Sequence, residues 1–512
     1  MAAERYDAVV VGSGFGGAVH ALRLAEAGRS VLVLERGHRY EPADFPRDVR
    51  DVDALFWRQP RRPKAQGLYE LQFFSGLGVV VASGVGGGSL VYANIHVRPD
   101  PVVFDDPRWP KAVRRPELDL WYDRVQERLR PEPVPSALRL PKRDAFRDAA
   151  RALGREVFDP DQAVDWELCD HIAECEFGCR LGAKRTLDRS YLRDAERRGA
   201  RVLTGTVAHH VEPVADGYRV HYEDLATGRR EAATGTRVVL CAGTLGSNAI
   251  LLRSREAGTL TKLSARLGCG FSANGDFLGS IHHTVRDLEP WTGPDVTSVM
   301  RFFDAEPGFT LAAPTFNRPV MEVLAALGQP NPSALRAVAP LWGRLGALVP
   351  FLFARGLLSK PHRLPFTSPS NPAHTTNLFA IGRDNANGRV TWQSGRLDVA
   401  WDWAAENGAL VERMTRAMAE LAAAYGGRFA PLVTWAAFRR IVTVHPLGGC
   451  ALAESPEHGV TSPEGEVHGH PGLYVADGSV IPTSLGFHPA MTIAAVAERV
   501  AHHVARSFPA AG

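Results

Sequence analysis

The sequence predicts an α/β fold, and three observations predict it. Residues 8–11 are an apolar run of the kind that fills a parallel strand covered on both faces. The run passes straight into Gly12-Ser13-Gly14-Phe15-Gly16-Gly17, after which Val19, Leu22, Leu24 and Ala25 keep helical spacing as far as Gly28. A second buried strand, 30–34, then ends at Glu35. Each residue type suits a Rossmann-like dinucleotide-binding unit. Gly12 permits the tight turn, Gly14 and its neighbour Gly16 let a pyrophosphate approach bare backbone, and Gly17 lets helix and strand pack closely. The helix N-terminus offers free N–H groups to phosphates. Glu35 is placed to accept from a ribose 2′-hydroxyl. These residues leave open whether the dinucleotide is NAD or FAD.

A chain of 512 residues is too long for one small core, so two domains are expected. Its 59 basic and 56 acidic residues leave a formal net charge of only +3, which argues against a nucleic-acid partner. The first strand is entered by Tyr6, which leaves no room for a signal peptide, and a cytoplasmic location is expected. Six cysteines in such a chain are no disulfide scaffold.

From His38 to Gly78 the regular pattern breaks down, and Arg58 to Pro63 reads as a loop that could cover a cofactor. An apolar run from Val79 then leads into a second glycine-rich stretch, Gly84-Val85-Gly86-Gly87-Gly88-Ser89-Leu90-Val91-Tyr92-Ala93-Asn94, followed by Ile95. So bare a backbone suits close approach to a large flat ligand or its phosphates. Residues 117–129 and 143–153 read as helices. Cys169, Cys175 and Cys179 lack zinc-site spacing and read as a local disulfide or buried thiols. Thr186-Leu187-Asp188 could cap the helix that follows. Strand signals return over 201–222, a stretch that includes Val211, and again at 237–243. There Ala242 and Gly243 open a helix to Arg253, repeating the strand–glycine–helix logic of the first sheet. Residues 276–440, richer in proline and aromatics, read as mainly a substrate domain. Within it, 334–358 is apolar but broken by Pro340, Pro350 and three arginines, so it is no membrane span. It reads as a core helix pair, or as an apolar lid or membrane-resting surface. Residues 404–425 read as an amphipathic helix with Leu410, Met414 and Met418 on one face.

The last seventy residues carry the chemistry. Thr443-Val444-His445-Pro446-Leu447-Gly448-Gly449-Cys450 sets a histidine before a proline and a glycine pair. A short strand, 473–476, ends in Asp477-Gly478, an acid placed to bond a ribityl hydroxyl or a phosphate-linked water. His488-Pro489-Ala490 opens a final helix to about His502. The other histidines (His209, His210, His282, His283, His468, His470) lack acids at ligand spacing, and no metal site is expected.

These motifs resemble the glucose–methanol–choline (GMC) family of flavin oxidoreductases over most of the chain. The likeness rests on the opening glycine motif with Glu35, on GVGGGSLVYAN, on CAGTLGSNAILLRSR, on HPLGGC, and on ADGSVIP followed by a second His-Pro. Within the family, TLDRSYL, GCGFSANGD and DGSVIPTSLGFHPAMTIAAVAER are similar to the cholesterol oxidase branch. The resemblance implies non-covalent FAD, since Leu90 and Val91 follow the glycine-serine stretch where some members attach flavin through a histidine. It implies a discontinuous FAD-binding domain (1–40, 79–98, 186–275 and 441–512) and a sheet-and-helix (α+β) substrate domain with cover segments (41–78, 99–185 and 276–440). Two departures are visible. That branch carries asparagine where this chain has His488, whereas a His–His pair is found in sugar- and aryl-alcohol-oxidising members. Its isomerisation glutamate precedes an Ala-Pro, and the counterpart here is Leu311 in Thr310-Leu311-Ala312-Ala313-Pro314; whether the downstream Glu322 replaces the acid is left open.

Alcohol oxidation needs a base for the hydroxyl proton and an acceptor for the hydride, flavin N5 in this family. Histidine suits the first task because its unperturbed pKa lies near neutrality. His445 is expected to be the main base, with His488 positioning the hydroxyl. Backbone N–H groups near Ala490 and Met491 would face the anionic edge of reduced flavin. The expected activity is oxidation of a hydrophobic, sterol-like or otherwise bulky alcohol, with O₂ or another electron acceptor. A flavin-retaining lyase or decarboxylase on the same fold is the alternative.

Overall fold

The computed structural model describes residues 4–46, 51–59, 62–327, 329–330, 339–345, 348–349, 367–368 and 370–509. Its first sheet is built from the apolar runs that the sequence marks. Strand Arg5–Val11 sits at the centre, with Val31–Leu34 and then Arg201–Leu203 parallel on one side and Arg230–Leu240 parallel on the other. The hairpin Thr206–Val214 and Gly217–Asp224 pairs with the first half of Arg230–Leu240. Strand Leu473–Val475, from the far end of the chain, pairs parallel with its last three residues. Central strand residues Ala8 to Val10 and Val238 to Leu240 are completely buried, so neither face could carry polar side chains. Helix Phe15–Glu26 packs against the final helix Ala490–Arg506, locked by Arg23, which donates to both carboxylate oxygens of the buried Glu498.

A second, antiparallel sheet runs in the order Arg428–Pro431, Phe277–His282, Thr375–Gly382, Phe309–Ala312, Val299–Phe302, Val157–Phe158. Thr375–Gly382 is buried at every position, so it forms the middle of this layer. Helix Gly408–Ala424 covers it, with Leu410, Met414 and Met418 buried. A small third sheet joins Tyr69–Phe73, Gly78–Ala82 and Val442–Thr443. It delivers the chain to His445.

Several local readings are corrected. The stretch 58–63 is not a plain loop: Trp57–Gln59 and Arg62–Gln66 form an antiparallel pair, and Tyr69–Phe73 is a strand inside the region whose pattern looked broken. Strand Arg230–Leu240 begins seven residues before its apolar core, because its first half is held by pairing with Gly217–Asp224 and its arginine, glutamate, alanines, threonines and glycine make no apolar run. Thr186-Leu187-Asp188 supplies no side-chain cap. The N-cap, Leu187, is already helical, and the chain turns through a π-helical segment, Asp188–Leu192, into Arg193–Arg197. Helix 404–425 is split into Trp403–Glu406 and Gly408–Ala424, where the Asn407 side chain bonds the Trp403 carbonyl. Cys169, Cys175 and Cys179 are free, as thiols rather than a disulfide. Most of 334–358 lies outside the described residues. The described part holds a 3₁₀ turn, Ala339–Arg344, in which the buried Trp342 Nε1 donates to the Phe74 carbonyl. Among the described residues no helix is long and apolar enough to cross a membrane.

Candidate active site

A cavity of about 1230 Å³ opens between the two sheets. Gly12, Gly14, Phe15, Gly16 and Glu35 line it from the first strand–helix turn. Gly87, Gly88, Tyr92, Ala93 and Ile95 line it from the second glycine run, and Ala242 and Gly243 from the third sheet-to-helix turn. Asp477, Gly478, His488, Pro489 and Ala490 complete that wall from the end of the chain, and His445 belongs to the same lining.

The remaining residues singled out from the sequence lie behind the wall. Gly17 packs helix on strand: a Cβ there would lie 1.9 Å from the Gly12 carbonyl oxygen. Gly84 and Gly86 have left-handed φ of 151° and 106°, and a side chain at Gly84 would meet Leu90 and Tyr40. Ser89 ties its own loop to the segment before Asp188, donating to the Gly86 carbonyl and accepting from the Leu187 N–H. Asn94 is fully buried, its amide without a hydrogen-bond partner among the described residues. Val211 is buried away from the cavity, and Val207 and Ala208 of the same strand line it instead. A register shift between Ala208 and His210 changes which side chains face inward.

Glu35 has a task before any ribose arrives. Its carboxylate accepts from the Ser13 N–H and hydroxyl and from the Gly37 N–H, which ties the glycine turn to the end of the second strand. Asp477 is similarly engaged, accepting from Ser247 and from the hydroxyl and N–H of Ser479. Burial pushes its carboxyl upward, and these donors oppose that.

Three long helices begin at this wall: Phe15–Glu26, Gly243–Glu256 and Ala490–Arg506. Their N-caps are Gly14, Ala242 and Pro489, none of which caps with a side chain. The free N–H groups and positive dipole ends of Phe15–Glu26 and Ala490–Arg506 are therefore available to an anionic ligand, whereas the Gly243 N–H is taken by the Asp477 carboxylate. Gly14, Gly88 and Gly243 leave space at the same wall. A Cβ at Gly14 would come no closer than 3.8 Å to the protein, and at the other two it would meet nothing within 4 Å. Bare glycines and uncapped helix ends are what a pyrophosphate and a flat ring need, so the residues present fit a flavin dinucleotide.

The two histidines meet although 43 positions separate them in sequence. Their rings lie 5.6 Å apart between centroids at 76°. One segment, Gly268–Asp276, sets both. Asn274, fully buried, accepts from the N–H groups of Leu485 and Gly486 and donates to the Phe487 carbonyl, which fixes the loop leading into His488. Asp276, also fully buried, accepts from the Thr443 hydroxyl and from the N–H groups of Val444 and His445. Its other oxygen meets His445 Nδ1 at 3.0 Å. Phe379 stacks on His445 at 5.5 Å and 7°, and meets His488 edge-on. Burial, then the neighbouring His445, pulls the His488 imidazole down to about 3, so it stays neutral at physiological pH.

Asn274, Asp276 and Phe379 were not assigned roles from the sequence. Asn274 and Asp276 stand in the recognisable stretch GCGFSANGD, but nothing local says that a buried acid there faces a histidine 169 residues on. Leu311 is fully buried and off the cavity lining, and Glu322 is exposed, ion-paired with Arg318. Neither position brings an acid to the site. Among the described residues no cluster of histidine, cysteine and acid could hold a metal.

The GMC oxidoreductase family models match residues 6–262 and 384–497. The chain is 28% identical to a cholesterol oxidase of Acinetobacter baumannii, over 98% of this chain and 94% of that one. It is 30% identical to a cholesterol oxidase of Mycobacterium tuberculosis, over 97% and 90%. Its fold matches the crystal structure of pyridoxine 4-oxidase from Mesorbium loti with a TM-score of 0.68 at 18% identity, covering 98% of this chain and all of that one. The chain belongs to the GMC oxidoreductase family. It is accordingly an FAD-dependent oxidoreductase acting on CH–OH groups.

Proposed function

We propose that the chain oxidises a hydrophobic alcohol, sterol-like or of similar bulk, with His445 as base. The observation that carries this is the hydrogen bond between His445 Nδ1 and Asp276, made beside a second imidazole on the cavity wall. A carboxylate accepts only from a protonated nitrogen, so Nδ1 carries the hydrogen and Nε2 keeps a free lone pair. Nε2 takes the hydroxyl proton, and Asp276 steadies the imidazolium that results. Neutral His488 holds the hydroxyl oxygen or its proton by a hydrogen bond. It does not take a proton of its own, because two imidazolium rings 5.6 Å apart repel. FAD, when bound, supplies the acceptor for the hydride that leaves the carbinol carbon. The free ends of helices Phe15–Glu26 and Ala490–Arg506 and the bare glycines would hold it.

The hydrophobic part of the reading rests on the wall remote from the glycines. Phe316, Val320, Val323, Leu324, Leu341 and Phe438 line the cavity there. The cholesterol oxidases among the relatives favour a sterol-like body. Leu311 supplies no acid for double-bond migration. We further propose that FAD is bound without a covalent link, since Leu90 is packed among Tyr40, Phe45 and Leu68 where an attaching side chain would stand. Heat- or acid-denatured protein then releases all its flavin to the filtrate.

The test is anaerobic mixing of holoenzyme with sterols, long-chain alcohols and sugars while flavin absorbance is followed, and then admission of air. Bleaching by the apolar alcohols and recovery in air are expected, the latter identifying O₂ as the acceptor. Bleaching by sugars alone, or turnover without bleaching, overturns the reading.

A further inference from the structure

Oxidation as derived uses none of the four ionisable groups buried behind one wall of the cavity: Glu176, Asp295, Lys142 and Lys184. Glu176 and Asp295 themselves line the cavity. They come from separate loops held together by the Gly293 N–H, which donates to the His171 carbonyl at 2.7 Å. Asp295 is anchored on Thr315, whose N–H donates to both the carbonyl and Oδ1 of Asp295. Asp295 Oδ2 is buried and meets no N–H or hydroxyl among the described residues, which leaves the neighbouring Glu176 carboxyl as its donor. Burial, reinforced by Asp295, keeps the proton on Glu176. Lys142 lies behind the pair, donating to the Ala313 carbonyl and the Thr315 hydroxyl, and burial pulls it down to about 7. Lys184 donates to the carbonyls of Leu90, Tyr92 and Cys175. Taking such groups out of water is costly before compensation, so a stability role alone is a poor account of them.

The pair stands within a substrate's reach of the histidines. Ala312 is the strand partner of Phe379, the ring stacked on His445. Thr315 lies three residues further on, at most about 10 Å of extended chain. Around the pair the cavity is apolar, lined by Phe177, Val296, Pro314 and Phe316.

We propose that Glu176 and Asp295 form a second recognition site in the cavity, which accepts a hydrogen bond from a hydroxyl at the end of the substrate remote from the one oxidised. With its proton committed to Asp295, Glu176 keeps an oxygen with free lone pairs at the cavity surface. Lys184, whose three donated bonds need the ammonium form, balances the remaining carboxylate, so the site suits a neutral hydroxyl and does not call for an ammonium. The substrate class is then an apolar alcohol with a second, distal hydroxyl. This rests on the reading of the cavity as an alcohol site.

The test compares holoenzyme on matched pairs: a straight-chain alcohol with the α,ω-diol of the same length, across a series of lengths, and a sterol with its side-chain-hydroxylated derivative. The doubly hydroxylated partner is expected to be favoured by about 10-fold or more in kcat/KM at the length that spans the cavity, because a site built for a hydroxyl discriminates against its absence. In Glu176→Leu the preference falls to about one through a rise in the diol's KM. Glu176→Gln, which still accepts a hydrogen bond, keeps part of it. A preference near one for every pair in the wild-type protein overturns the proposal without any variant. So does a preference that survives in Glu176→Leu, or a flavin spectrum shifted by Glu176→Gln, which would put the group against the cofactor. Failure of the underlying reading shows separately, as no flavin reduction by any alcohol. Binding of the diol, read from perturbed flavin absorbance, decides the present inference even then.

Discussion

The cavity has two unlike walls. The wall on the first sheet is backbone: glycines, helix ends and short loops from the opening turn, the second glycine run and the final helix. The wall from the second and third sheets is side chain: an imidazole set by a buried acid, an aromatic ring stacked on it, and apolar residues beyond. A backbone wall can bind anything with phosphates and a flat ring, because N–H groups and dipole ends recognise charge and shape without a particular residue. A side-chain wall must place particular atoms, so each of its residues depends on supports elsewhere. In Gly268–Asp276 those supports are gathered into nine residues that steer both histidine loops.

If the walls divide labour in this way, damage to each has a distinct signature. His445→Ala leaves the flavin bound and slows anaerobic flavin reduction by at least about 100-fold, as expected for loss of a general base. Unchanged stopped-flow traces would remove His445 from its role. Asp276→Asn keeps a hydrogen-bonding group beside Nδ1 but loses the charge that steadies the imidazolium. Reduction is expected to slow by roughly 10- to 100-fold, with the pH profile of the reductive step displaced, while flavin content stays full.

Gly14→Ala probes the other wall and should do the reverse. The backbone there has a φ of −71°, which alanine adopts freely, and the protein leaves 3.8 Å of clearance. The added methyl would project into the cavity at the wall that would hold the dinucleotide. FAD affinity is expected to drop about 10-fold, or about 1.4 kcal/mol, with the apoprotein's melting temperature unchanged. Equal affinity in titrations of apoprotein would mean that the cofactor does not approach Gly14.

The smallest effect concerns pH. His488 is neutral in the folded protein down to about 3, whereas an unfolded histidine takes a proton below about 6.5. The unfolded state therefore binds more protons between these values, and stability falls as pH drops from 6.5 toward 3. In His488→Asn this contribution disappears, flattening the acid limb by about 1 kcal/mol near pH 5.5. Parallel limbs in denaturant titrations of the two proteins would show that His488 is not the group responsible.

How much was legible follows the same division. The opening strand, glycine turn, helix and Glu35 could be read directly, because the strand pair, the turn between them and its tie to Glu35 all close within about thirty residues. Both histidines could be seen as well, since His-Pro in two glycine-rich settings is locally unusual. Their meeting could not, nor could Asp276 as the partner of His445, because hydrogen bonds across 169 residues leave no periodic trace. The hairpin of Trp57–Gln59 and Arg62–Gln66 was missed because prolines and arginines in and beside it mask strand pattern. The register shift that exchanges Val211 for Val207 and Ala208 is likewise a property of pairing and not of composition.

The sequence by itself determined the dinucleotide unit, since glycines that must lack a side chain and strands that must be apolar on both faces are choices written residue by residue. Only the tertiary structure decided which polar groups share the cavity. Asp276 comes to His445, Asn274 to the loop before His488, and Glu176 to Asp295, through the packing of segments that are far apart in the chain. Burial then keeps the proton on Glu176 and off His488, because desolvation acts on neighbours in space, whatever their separation in sequence.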